Sequence, residues 1–68
     1  MPAIHITLKE GLDRSQKRDL IKKVTTAVTD ITQVSEQAVS IIIDEQPSDN
    51  FGSGGMQLTD ILEARGRA

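Results

Sequence analysis

The sequence has no cysteine, tryptophan or tyrosine, one phenylalanine (Phe51) and one histidine (His5). The missing cysteines exclude a disulfide framework, and a lone histidine without thiolates leaves no structural zinc site. A chain of 68 residues without either staple is at the size where hydrophobic burial and the entropy of ordering nearly cancel. At 7.4 kDa it is expected to expose roughly 10,700 Å² unfolded and roughly 4,200 Å² as a compact monomer. Association is the remaining route to stability.

Other absences exclude whole function classes. The near-absence of aromatic rings and a formal charge of -2 leave neither the stacking platform nor the basic face of a nucleic-acid binder. Lys17, Arg18, Lys22 and Lys23 form a basic cluster, but Asp19 and Asp30 are interleaved with them, as on a solvated helix face. No apolar run approaches the length of a membrane span, and the N-terminus lacks the basic start and apolar stretch of a signal peptide. The expectation is a soluble cytoplasmic protein with no membrane or nucleic-acid partner. Neither an internal repeat nor a linker breaks the chain, so residues 1–68 read as one domain.

What is present has a clear periodicity. Ala3 to Leu8 alternates, with Ile4, Ile6 and Leu8 on one parity and Ala3, His5 and Thr7 on the other, which predicts a short strand. A turn through Gly11 follows, and Asp13 with Gln16 three places on has the spacing of a capping box. From about Ser15 to Ile31 the residues Leu20, Ile21, Val24, Ala27, Val28 and Ile31 fall within an arc of roughly 120° at 100° per residue, an amphipathic helix. Lys17 lies inside that arc, where its stem can cover apolar surface while the ammonium reaches water. Asp19 and Lys23 are spaced for a surface pair.

Ala38 to Asp44 predicts a second strand with isoleucine on both faces: Val39, Ile41 and Ile43 on one, Ile42 on the other. Strands that are apolar on both sides are buried on both sides. The helical crossover is long enough for a right-handed parallel return. One helix covers one face of such a pair, so the other face calls for a second chain. Pro47 to Asn50 has turn composition, the run from Phe51 to Gly55 suits a tight hairpin or a close backbone contact, and Leu58, Ile61 and Leu62 suggest a short C-terminal helical turn or docking segment. The fold class is α/β (α+β): a single β-α-β unit with parallel strands plus a C-terminal hairpin, completed by oligomerisation.

Chemistry is sparse. No zinc spacing, nucleophile elbow or phosphate-loop lysine is present. His5 reads as a structural histidine, and Asp44 and Glu45, adjacent on a strand, point to opposite faces and make no acid/base pair. The exception is Pro2. Freed of Met1, it presents a secondary amine at the start of the first strand. Burial against apolar walls lowers the pKa of such an amine, and a base poised near neutrality suits proton abstraction beside a carbonyl. With Met1 attached the same nitrogen is a tertiary amide without basicity.

Pro2, the Glu10-Gly11 turn, the Gln16-Lys17 helix start, the strand end Ile43-Asp44-Glu45 and the run Phe51-Gly52-Ser53-Gly54-Gly55 occur in an order that resembles the 4-oxalocrotonate tautomerase family, the short-subunit type of the tautomerase superfamily. The resemblance spans about residues 2 to 58 without a gap. It implies a β-α-β subunit that assembles into a homo-oligomer, a dimer or hexamer, and a cofactor-independent, metal-free isomerase whose amino-terminal proline, here Pro2, moves a proton in a small enol or 2-oxo acid resembling a 2-hydroxydienoate. It maps the family's active-site aromatic onto Phe51. Two substrate-holding arginines of the best-known members fall on Leu12 and Ser40, neither of which replaces a fork-shaped cation. Arg14, two residues past Leu12, is the nearest alternative, and Lys9 a weaker one. Three alternatives stay open at this point: phenylpyruvate-type keto-enol exchange, hydration of an unsaturated acid, and a non-catalytic homo-oligomer on the same scaffold.

Overall fold

A computed structural model describes residues 1–66. The first strand, β1, runs Ala3–Lys9, the long helix α1 Arg14–Thr32, and the second strand, β2, Ser40–Gln46. Beyond β2 a single 3-10 turn at Ser48–Asn50 leads into the short strands β3, Gly52–Ser53, and β4, Met56–Gln57, and then into helix α2, Leu58–Gly66. β1 and β2 pair in parallel, with Ala3 opposite Ser40, Ile6 opposite Ile43 and Lys9 opposite Gln46.

Each element has a local cause. At the start of α1 the Gln16 N–H donates to Asp13 Oδ1 at 2.8 Å and the Asp13 N–H to Gln16 Oε1 at 3.0 Å, the reciprocal capping box that the sequence spacing predicts. Four threonines weaken the intrinsic helix propensity of α1, and their hydroxyls bond back to carbonyls within the helix, among them Thr25 to Ile21 at 2.7 Å and Thr32 to Val28 at 2.8 Å. The helix stops where Gln33 turns left-handed at φ 64° and donates its N–H to Thr29 O. β2 begins two residues later than the alternation suggests, because Glu36–Ala38 forms a 3-10 turn that consumes the start of the apolar run. The hairpin closes through Gly54 and Gly55, both at positive φ (61° and 81°), as a two-residue turn of the primed kind requires.

The helix lies over one face of the strand pair, where the Lys17 ammonium pairs with the Glu45 carboxylate. This differs from the expectation that the Lys17 ammonium reaches open water: the stem follows the apolar arc, and the arc faces a strand that carries its own acid. Asp44, one residue earlier, is on the opposite face, with one carboxylate oxygen 3.9 Å from His5 Nε2 and the other accepting from Gln46 Nε2 at 3.2 Å.

No described residue is buried. The surface, 5232 Å², exceeds the roughly 4,200 Å² of a compact monomer of this mass. The radius of gyration, 15.6 Å, likewise exceeds the roughly 11 Å of a compact chain of this length. Ile31 belongs to the apolar arc of α1 yet is 84% exposed, and Ile42 on the helix-free face is 59% exposed. Apolar positions that the pattern assigns to a core therefore lack their cover within one chain.

Candidate functional site

The candidate residues separate into two groups at opposite ends of the strand pair. At one end are Pro2 and Ser40, where the Ser40 N–H donates to the Pro2 carbonyl at 3.0 Å. Pro2 is half-buried, whereas Met1 before it is 94% exposed. The open surroundings of Met1 mean that its removal would uncover the Pro2 nitrogen without disturbing the strand ladder, which begins one residue later.

At the other end, the Glu10 N–H donates to the Gln46 carbonyl at 2.9 Å. This contact ties the turn carrying Leu12 to the exit of β2. Leu12 is half-buried and Arg14 exposed as the first residue of α1. Phe51 lies beyond the same end, and its position is tightly specified. Its N–H donates to Ser48 O at 3.3 Å and its carbonyl accepts from Leu58 N at 2.8 Å. Asp49 braces the unit by accepting from the Thr59 hydroxyl and, through its carbonyl, from Gln57 Nε2 at 2.9 Å. The half-buried Phe51 lines an open pocket with Asp49, Asn50, Gly52, Gly55, Met56 and Gln57.

Between the two ends, the strand from Ser40 to Gln46 rises roughly 20 Å at about 3.3 Å per residue. Pro2 stands at the start of the strand pair, and Phe51 follows Asn50, whose side-chain amide donates to Gln46 Oε1 at 2.7 Å at its far end. The structure thus brings Pro2 beside Ser40, while Leu12 and Arg14 follow the far end of β1 and Phe51 the far end of β2.

A second open groove, of about 460 Å³, is lined by Arg14, Lys17, Arg18 and Ile21 along one flank of α1. Arg18 and Ile21 do not stand out as site residues from composition. Their spacing from Arg14, four and seven places on, is the signal that places them on one stripe. Among the described residues no group of three or more His, Cys, Asp or Glu side chains could hold a metal ion, and no helix is long and apolar enough to cross a membrane.

Residues 2–61 match the family model described as tautomerase enzyme. A 2-hydroxymuconate tautomerase of Bacillus subtilis is 36% identical over 61 residues, covering 90% of this chain and 98% of that protein. Among solved structures, a study of 4-oxalocrotonate tautomerase isozymes from Methylibium petroleiphilum provides a chain that is 33% identical with a TM-score of 0.84, covering 88% of this chain and 97% of that one. A heterohexamer 4-oxalocrotonate tautomerase from Chloroflexus aurantiacus provides another, 28% identical with a TM-score of 0.85, covering 90% and 98%.

Proposed function

The chain belongs to the tautomerase family, and on that premise we propose that it is a cofactor-independent isomerase of a small enol or 2-oxo acid with Pro2, freed of Met1, as the general base. The observation that carries the reading is the position of Pro2. It is half-buried at the head of β1 and held by the Ser40 N–H, so a free amine there would be fixed in direction and partly withdrawn from water.

The chemistry needs one group that both takes and returns a proton. The neutral amine removes the enol hydroxyl proton of a 2-hydroxydienoate. The negative charge spreads over the dienolate, and the resulting prolinium delivers the same proton to a carbon further along. One O–H bond is lost, one C–H bond is gained, and the product is the 2-oxo isomer. No oxidant, metal or cofactor enters this balance.

The assembly follows from the separation of the two ends. Phe51 is the apolar wall that keeps the amine out of water. It reaches Pro2 only from another chain laid antiparallel to the first, so each site combines the Pro2 end of one subunit with the Phe51 end of a neighbour. The exposed Ile42 and Ile31 supply apolar surface for such a homo-oligomer, a dimer or a hexamer, and one of the related structures is a heterohexamer.

The deciding experiment is subunit complementation. Pro2→Ala and Phe51→Ala proteins, each expected to lose about a hundredfold or more in kcat/KM, are dissociated, mixed and reassembled. Mixed oligomers should regain activity, because some interfaces pair an intact Pro2 with an intact Phe51. Full activity of Pro2→Ala alone would exclude the base, and absence of recovery in verified mixed oligomers would exclude the shared site.

A further inference from the structure

The charges of α1 run against its dipole. A helix favours acids in its first turn and bases in its last, yet α1 has no acidic residue in its first turn and no basic residue in its last. Instead Arg14, Lys17 and Arg18 crowd the N-terminal end, and Asp30 sits near the C-terminal end. Lys17 is compensated by Glu45. Among the described residues neither Arg14 nor Arg18 has an acidic partner. The two are four residues apart and so lie on one side of the helix, with Ile21, 41% exposed, completing the stripe. Of the backbone N–H groups at the helix start, those of Gln16 and Lys17 are already taken by Asp13.

We propose that the Arg14–Arg18 groove is the carboxylate subsite of this enzyme and that it selects acids with one carboxylate on an apolar alkyl or aryl body. Two guanidinium forks one turn apart hold a single carboxylate between them, and Ile21 packs against the body of the same ligand. The groove's volume of about 460 Å³ suits a molecule of that size. No cation stands at Ser40 or Leu12 for a second carboxylate. The groove lies at the Leu12 and Phe51 end of the subunit, the end that the Pro2 of a neighbouring chain approaches, so an acid anchored there presents its enol carbon to that proline. The consequence for turnover rests on the tautomerase reading; the binding itself does not.

The test separates the two. Phenylacetate, which has no enolisable 2-oxo group, is titrated into the assembled protein and followed by calorimetry and by backbone amide shifts. It should bind the native and Pro2→Ala proteins with equal Kd and shift the amides of Arg14 to Lys22. Arg14→Gln and Arg18→Gln should each weaken it about tenfold, Arg18→Lys should recover part of the loss, and phenylacetamide should not bind. In turnover of an aryl 2-oxo acid, Arg18→Gln should raise KM rather than lower kcat, and should leave the ranking of the corresponding methyl ester unaffected. Binding that is insensitive to both arginine substitutions, or shifts confined to other residues, would overturn the subsite. Intact, arginine-dependent binding in a protein whose turnover does not depend on Pro2 would retain the subsite and remove the proline mechanism.

Discussion

The Ser40 N–H and the Pro2 carbonyl are joined at 3.0 Å, which makes Pro2 the first fixed residue of the strand pair and places Ser40 beside it. A cation at position 40 would stand next to the proposed base. Ser40→Arg is therefore expected to raise kcat/KM for a dicarboxylate such as 2-hydroxymuconate about tenfold or more, since a charge-assisted hydrogen bond to a substrate carboxylate contributes roughly 1.5–3 kcal/mol. Steady-state kinetics on native and variant proteins checks it, and an unchanged ratio between dicarboxylate and monocarboxylate substrates would contradict it.

The open face of the sheet makes a second prediction. Ile42 is 59% exposed there in the single chain, directly opposite His5 in the ladder. Ile42→Asp puts a charge on the face that the proposed oligomer covers with a neighbouring chain. Sedimentation velocity should show the native oligomer and a dissociated or unfolded variant, with activity lost in parallel. A variant that keeps the native oligomer size and full activity despite the added carboxylate would mean that this face stays wet.

Helix α1 depends on its cap. Asp13→Ala removes the oxygen that accepts from Gln16 N at 2.8 Å and should cost about 1 kcal/mol. Urea unfolding at a fixed protein concentration measures it. Gln16→Ala, which removes the return bond to the Asp13 N–H, should cost less, because the Asp13 carboxylate still caps the Gln16 backbone N–H.

The Lys17–Glu45 pair joins helix to sheet, and both side chains are only partly in solvent (34% and 27% exposed). Lys17→Met keeps the apolar stem and leaves Glu45 without its partner. The expected loss is about 1 kcal/mol, above that of a fully exposed pair and below that of a dry one. Adding Glu45→Gln should return part of it. A double-mutant cycle in urea gives the coupling, and a coupling of zero would reduce the pair to incidental surface charge.

Much of this architecture is legible in the residues themselves. The narrow apolar arc fixes α1, the Asp13–Gln16 spacing fixes its start, and the paired glycines fix the hairpin, because each of these is a local preference. The start of β2 is less legible, since Ala38 and Val39 continue the apolar alternation while the backbone is still leaving a 3-10 turn. The partner of Lys17 is not local at all. It depends on Glu45, 28 positions along the chain. The candidate residues can be named one by one from the sequence, but their division between two ends cannot, because that follows from the parallel pairing of β1 with β2 and the rise of roughly 20 Å along the strands. Arg18 escapes notice for a different reason. In the sequence it is one cation among four, and only the helix stripe shared with Arg14 and Ile21 distinguishes it.

A subunit with no buried residue among those described also has a lifetime that depends on company. Before the proposed oligomer forms, a chain keeps Ile31, Ile42 and Met56 open to solvent. Proteases and chaperones compete for such surfaces until a neighbour covers them. The amount of finished enzyme should then rise more steeply than in proportion to synthesis, with sparse production yielding turnover of the polypeptide and abundant production yielding catalysis.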